Sequence, residues 1–221
     1  MKLFIAMQLL LFSLFLFSHR RGDVRSNRIL AIFLLFNALF FLSLSFLPAG
    51  LLVSSLIYLI RYGGFFLLGP LLYLYVQSMT EMAYHRYRYS VFHWVPATAF
   101  ILFTLIRVLL HDPAIPLLAM SHGSAFFRIE FVVIRLLNYF HFFAYCAIIF
   151  RQLNLHEDSL KQSRSSMKKL KLSWINTISI GFGISYIFFF LHYLSHLKLS
   201  IIRIPVLLPL VLFLVLSNYL I

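Results

Sequence analysis

Seven apolar segments, each close to the length that crosses a lipid bilayer, make up most of this 221-residue chain. A transmembrane helix needs about 20 apolar residues, and a helix satisfies its own backbone hydrogen bonds where no water is present. The sequence therefore predicts an all-α, polytopic membrane protein with a single seven-helix domain over residues 1–221. The predicted spans are about 3–18, 29–47, 56–76, 92–110, 127–150, 174–194 and 201–221.

The basic residues between these segments predict an orientation. Three connections, at 19–28, 77–91 and 151–173, carry twelve of the nineteen Lys and Arg residues, whereas the opposite connections and the N-terminus hold only Lys2 and Lys198. Short segments rich in Lys and Arg stay in the cytoplasm. We therefore expect the N-terminus outside, the C-terminus inside, and a basic cytoplasmic loop over residues 151–173. This loop either is simply solvated or touches anionic lipid or a cytoplasmic partner.

The composition is not that of a soluble domain. The chain is 62% hydrophobic and 11% charged, whereas roughly a quarter of the residues of a soluble domain are charged. The net charge of +13 is explained mostly by the basic connections, so we expect the bilayer as a partner and no direct nucleic-acid binding. The single cysteine, Cys146, falls within a span and excludes an intramolecular disulfide and a thiol-rich metal site.

The fifth predicted span carries the largest set of polar residues. An ionisable group at the centre of a membrane helix costs about 2.5 to 3.5 kcal/mol on insertion scales and therefore points to function. At 100° per residue, the polar side chains fall within one arc of roughly 160°, and apolar side chains occupy the opposite arc. Arg135 lies about 12 Å below the outer end, so it should need a partner on an adjacent helix. The residues of this arc are Arg128, Glu130, Arg135, Asn138, His141 and Tyr145.

Other cationic residues fall in the outer half of neighbouring spans and predict an outward-facing cavity with a positive lining. Such a cavity suits an anionic or polar small ligand. The alternative is that these are rim residues that snorkel to the lipid headgroups. It is favoured for Arg61, Arg107, Arg128 and Arg203, and not for Arg135. The basic residues of these neighbouring spans are Arg61, Arg107, His192, His196 and Arg203. The candidate ligand-binding set is Arg135, Glu130, Asn138, His141, Arg107 and Arg61.

Two histidines near the end of the sixth span are weak candidates for a metal site. His192 and His196 are four residues apart, which puts both imidazoles on one helix face, a spacing that can bind zinc. No Glu follows the first His, as a hydrolytic helix motif requires. Further ligands would have to come from His111, Asp112 or His122. We therefore predict no metal and no cofactor.

Glycines and a proline interrupt the third span. Gly63-Gly64 and Gly69-Pro70 both fall inside it. Because Pro70 cannot donate to the carbonyl four residues earlier, the sequence predicts a kink there and a hinge at Gly69 and Pro70.

Three segments of the chain are similar to a known family. Residues 69–78, which read GPLLYLYVQS, 92–96, which read FHWVP, and 170–174, which read LKLSW, resemble the membrane-embedded N-terminal region of bacterial AraC-type helix-turn-helix transcriptional regulators. The resemblance implies seven helices that sense a signal and pass it to a cytoplasmic DNA-binding domain. These residues end at Ile221 without such a domain, so we expect a fragment of a longer regulator or a free-standing sensor.

The leading hypothesis is therefore a sensor in the bacterial inner membrane, not an enzyme, that relays an outer or intramembrane signal to a cytoplasmic output domain or partner. It has an unknown small ligand and is a candidate homodimer. The alternatives are a small transporter or accessory membrane subunit, and an intramembrane zinc hydrolase.

Overall fold

The structure, a computed structural model, describes residues 1–19, 23–45, 56–80, 92–110, 125–161, 166–197, 205 and 207–220. Across these ranges every regular element is helical, and there are seven α-helices. A π-helical turn, Leu59–Gly63, precedes the third of them. The helices are α1 Lys2–Ser18, α2 Val24–Ser43, α3 Gly64–Met79, α4 Val95–Leu110, α5 Ala125–Lys161, α6 Ser166–His196 and α7 Leu207–Leu220.

Length and composition of the helices indicate a membrane protein. Four are long and apolar enough to cross a bilayer: Val24–Ser43, Leu56–Met79, Phe131–Glu157 and Trp174–Ser195. The other three predicted spans coincide with shorter apolar helices: Lys2–Ser18, Phe92–Ile106 and Leu207–Leu216. The all-α prediction is thus confirmed for the part of the chain that is described.

The segment 151–173 differs from the loop expected there. Helix α5 continues to Lys161 and α6 begins at Ser166, so only residues 162–165 fall outside the described helices. The helical parts contain Leu, Gln, Glu, Lys and Arg, which favour helix, and no Gly or Pro. Polarity marks where the apolar span ends, but it does not end the helix.

The starts of two helices also differ from the predicted spans. Helix α2 begins at Val24 because the Asp23 side chain accepts hydrogen bonds from the backbone N–H groups of Arg25 and Ser26, at 3.1 and 3.4 Å, as an N-cap does. Helix α7 begins at Leu207, shortly after Pro205, while residues 201–204 lie outside the described ranges.

Six of the helices pack as a closed series around an aromatic core. Helix α1 contacts α2, α2 contacts α3, α3 contacts α5, α5 contacts α6, and α6 contacts α7. The series closes because α7 contacts α1. The Phe33 and Phe182 rings meet edge to face with centroids 4.6 Å apart, and Phe142 lies 4.3 Å from Tyr186. Helix α4 lies at the periphery, where it packs against the π-helical turn and α3. Its outer face is apolar and exposed, as expected for a helix that faces lipid.

Candidate functional site

Arg135 of α5 is held by the π-helical turn that precedes α3. Its guanidinium carbon lies 4.4 Å from the centre of the Tyr62 ring, a cation–π distance. Its Nη1 donates to the backbone carbonyl oxygen of Arg61 at 3.3 Å. The partner expected on an adjacent helix is therefore a carbonyl and an aromatic ring, both on one irregular turn.

The π-helical turn itself was not predicted. In the sequence, only Gly63-Gly64 indicates an interruption at this point. The backbone N–H of Gly64 donates to the carbonyl of Leu59, five residues earlier, which is the π-helical spacing. A Cβ atom on Gly63 would lie 3.1 Å from Cδ1 of Phe100 on α4, so the turn also sits close against α4. Single π turns inside α-helices are frequent at functional sites.

Arg61, on the same turn, reaches across to the end of α2. Its Nε donates to the Ser43 hydroxyl at 3.4 Å, and its Nη2 donates to the Ser43 carbonyl oxygen. The last carbonyls of a helix have no intrahelical donor, and a cation is favourable at this end of the helix dipole. The half-buried Arg61 charge is therefore held within the protein, against another helix.

Two polar side chains further along α5 have buried atoms without hydrogen-bond partners among the described residues. Asn138 has 0% exposure, and neither its Nδ2 nor its Oδ1 has a hydrogen-bond partner in the described structure. The same is true of Nδ1 of His141, whose ring lies 5.4 Å from that of Phe66 on α3. Burying an amide without a hydrogen bond costs about 1 to 3 kcal/mol in protein mutational data. Buried polar atoms without partners require an explanation, and a bound ligand or water molecule would supply one.

Tyr145 continues the same side of α5 and joins three helices. Its hydroxyl hydrogen-bonds Nδ1 of His93, just before α4, at 2.6 Å. Its ring lies against Gly69 of α3, where a Cβ atom would be only 2.8 Å from Tyr145 Cδ2. This close approach of Tyr145 explains why residue 69 is a glycine. Gly69 and Pro70 both fall within the continuous helix α3. Their role as a hinge stays a prediction.

An apolar groove of about 560 Å³ lies between α4 and α5, within the size range of small-molecule sites. Helix α4 contributes Pro96, Ala99, Phe100 and Phe103, and α5 contributes Ile129, Val133, Ile134 and Leu137. Phe66 of α3, which is almost fully buried, forms its floor. Sequence analysis missed the groove because these are ordinary apolar residues whose arrangement depends on how two helices pack.

Several predicted site residues lie beyond what the structure describes. The side chains of Arg107, Arg128, Glu130 and His196 are not described, and neither are residues 111–124 and 198–204. Among the described residues, no group of three or more His, Cys, Asp and Glu side chains could hold a metal. His192 is half-buried in α6 and stays, with His196, a weak candidate.

The described part of the site offers cations, an amide and an imidazole. The described carboxylate side chains are Asp23, which caps α2, and Glu157, near the end of α5. This combination suits the binding of an anionic or polar group. No protein-family model, curated protein or solved structure matches the chain, so function is inferred from its own residues.

Proposed function

We propose that this chain is a membrane-embedded sensor domain of the bacterial inner membrane, similar to that of AraC-type regulators. It relays an outer or intramembrane signal to a cytoplasmic output. The observation that supports this most is the set of buried polar atoms without hydrogen bonds among the described residues, the amide of Asn138 and Nδ1 of His141, on the helix that also carries Arg135. Polar groups kept at a cost to stability in mid-membrane indicate a ligand site.

Helix α5 provides a physical route for the relay. It has 37 residues and is therefore about 55 Å long at 1.5 Å per residue. It connects the polar residues to residues 151–161, the first part of the basic segment 151–173. Towards that end, Nε2 of Gln152 donates to Oγ1 of Thr80, next to α3, at 3.0 Å. A ligand that binds two arrangements of α3 and α5 with different affinity shifts the population between them.

The relay predicts that substitutions in the polar site change the contact between Thr80 and Gln152. We expect Asn138→Leu to change the disulfide yield of a Thr80→Cys/Gln152→Cys pair, in a Cys146→Ala background, by about fivefold or more, a modest allosteric coupling. The yield is measured by gel mobility after mild oxidation in membranes. Phe140→Leu, on the exposed face of α5, is the control and should leave the yield unchanged. Equal yields for both variants would refute the relay.

The proposed topology, seven crossings with the N-terminus outside and the C-terminus inside, rests on the Lys and Arg distribution. Green fluorescent protein fused after Ile221 should fluoresce, and alkaline phosphatase fused there should be inactive. The phosphatase should be active when inserted between residues 111 and 124. An active phosphatase after Ile221 would overturn this orientation.

A further inference from the structure

The apolar groove and the polar side chains of α5 are adjacent. Phe66 lines the groove and its ring also lies 5.4 Å from that of His141. Leu137 lines the groove, and His141, four residues on, lies about one helical turn away on the same side of α5. The Phe66 ring thus lies between the apolar groove and the partly buried imidazole of His141.

The mouth of the groove is exposed where a bilayer would lie. Ile129 is 63% exposed and Leu137 54% exposed, and none of the groove-lining side chains is polar. A molecule that enters from this side must therefore present an apolar surface, as a hydrocarbon chain does.

The polar end of the site favours a negative charge. The Arg135 side chain donates to the backbone carbonyl of Arg61 on the π-helical turn. Neither arginine side chain has a carboxylate partner among the described residues. Arg135 is three residues before Asn138, about one helical turn away. Arg guanidinium groups bind carboxylates through paired N–H donors, and the unpartnered Asn138 Nδ2 is another donor.

We propose that the groove and this polar end form one site for a long-chain carboxylate, a fatty-acid-like amphiphile. Its chain lies between α4 and α5, and its carboxylate passes Phe66 to reach Asn138, His141 and Arg135. Asn138 falls near the middle of the span predicted at 127–150, so the carboxylate lies below the level of the lipid headgroups, where the positive charge of Arg135 offsets its own. This inference rests on the proposed sensor function and names its class of signal.

Photolabelling tests the site. The full chain in phosphatidylcholine nanodiscs is irradiated with palmitic acid that carries a diazirine and an alkyne. We expect label on peptides that contain residues 96–103 and 129–137, displaced by palmitate and not by hexadecanol. Leu137→Trp, which fills the groove, should lower labelling about tenfold, equivalent to 1.4 kcal/mol. Ile148→Trp, on an exposed part of α5 outside the groove, should not lower it.

The charge requirement is tested at Arg135. Arg135→Gln should remove the preference for palmitate over hexadecanol, and Arg135→Lys should keep it. Equal displacement by both competitors in the unsubstituted chain, or label that is spread along α1 and α7, would overturn the proposal. If labelling fails while the Thr80–Gln152 disulfide still responds to Asn138→Leu, the ligand assignment is wrong and the sensor proposal stands. If labelling succeeds and palmitate leaves that disulfide unchanged, the site stands and the relay is wrong.

Discussion

Replacing Gly69 by alanine should destabilise the protein by about 2 kcal/mol, within the range for overpacked sites. The added Cβ atom would lie 2.8 Å from Cδ2 and 3.1 Å from Cβ of Tyr145, closer than carbon atoms approach. Neither atom is the free end of a flexible side chain, so α3 and α5 must separate. The displaced Tyr145 would also lose its hydrogen bond to His93, which ties α4 to the other helices.

Gly183→Ala is the matched control for this substitution. Gly183 is also buried in a helix, but a Cβ atom there would meet nothing within 4 Å. Alanine should therefore be neutral or stabilise by up to about 1 kcal/mol through its helix propensity. Both variants are compared by steric-trapping or SDS unfolding in the same detergent. If both glycines tolerate alanine equally, the close contact between α3 and α5 is not a determinant of stability.

The helices were predictable because the bilayer demands long apolar segments, and those segments stand out in the sequence. The ends of the helices were less predictable. The start of α2 depends on a single side chain, Asp23, and the polar ends of α5 and α6 continue as helix beyond the apolar spans. Hydropathy measures where lipid can cover a chain, and backbone hydrogen bonding decides where a helix stops.

Part of the candidate site was predictable from a single helix. Arg135, Asn138 and His141 fall on one side of α5 by periodicity alone, and they lie in one region of the structure. The carbonyl partner of Arg135, the approach of Tyr145 to Gly69 and the groove each depend on a second or third helix. Helical periodicity assigns a residue to a face, but it does not show which helix that face meets.

Two buried asparagines show how satisfied and unsatisfied polar groups differ in this protein. Asn37 of α2 and Asn138 of α5 both have 0% exposure. The Asn37 Oδ1 accepts from the Tyr186 hydroxyl at 2.5 Å, and its Nδ2 donates to the Phe33 carbonyl oxygen at 2.8 Å. The amide of Asn138 has neither kind of partner among the described residues. One asparagine thus joins α2 to α6, and the other makes no such connection among the described residues.

The same substitution should therefore have opposite effects at these two positions. Asn138→Leu should raise the free energy of unfolding by about 1 to 3 kcal/mol, because it removes a buried amide that has no hydrogen bond. Asn37→Leu should lower it by about 1 to 2 kcal/mol, because it leaves the buried Tyr186 hydroxyl without its acceptor. Both are measured by SDS unfolding of the purified chain.

A second substitution checks the cause of the loss at Asn37. Adding Tyr186→Phe to Asn37→Leu removes both partners of the hydrogen bond and should recover much of the lost stability. If Asn138→Leu instead destabilises as strongly as Asn37→Leu, Asn138 has a partner that holds the fold together, and the site loses its main support. A more stable Asn138→Leu variant whose Thr80–Gln152 disulfide yield is altered would show that the Asn138 amide lowers stability and is coupled to the contact between α3 and α5.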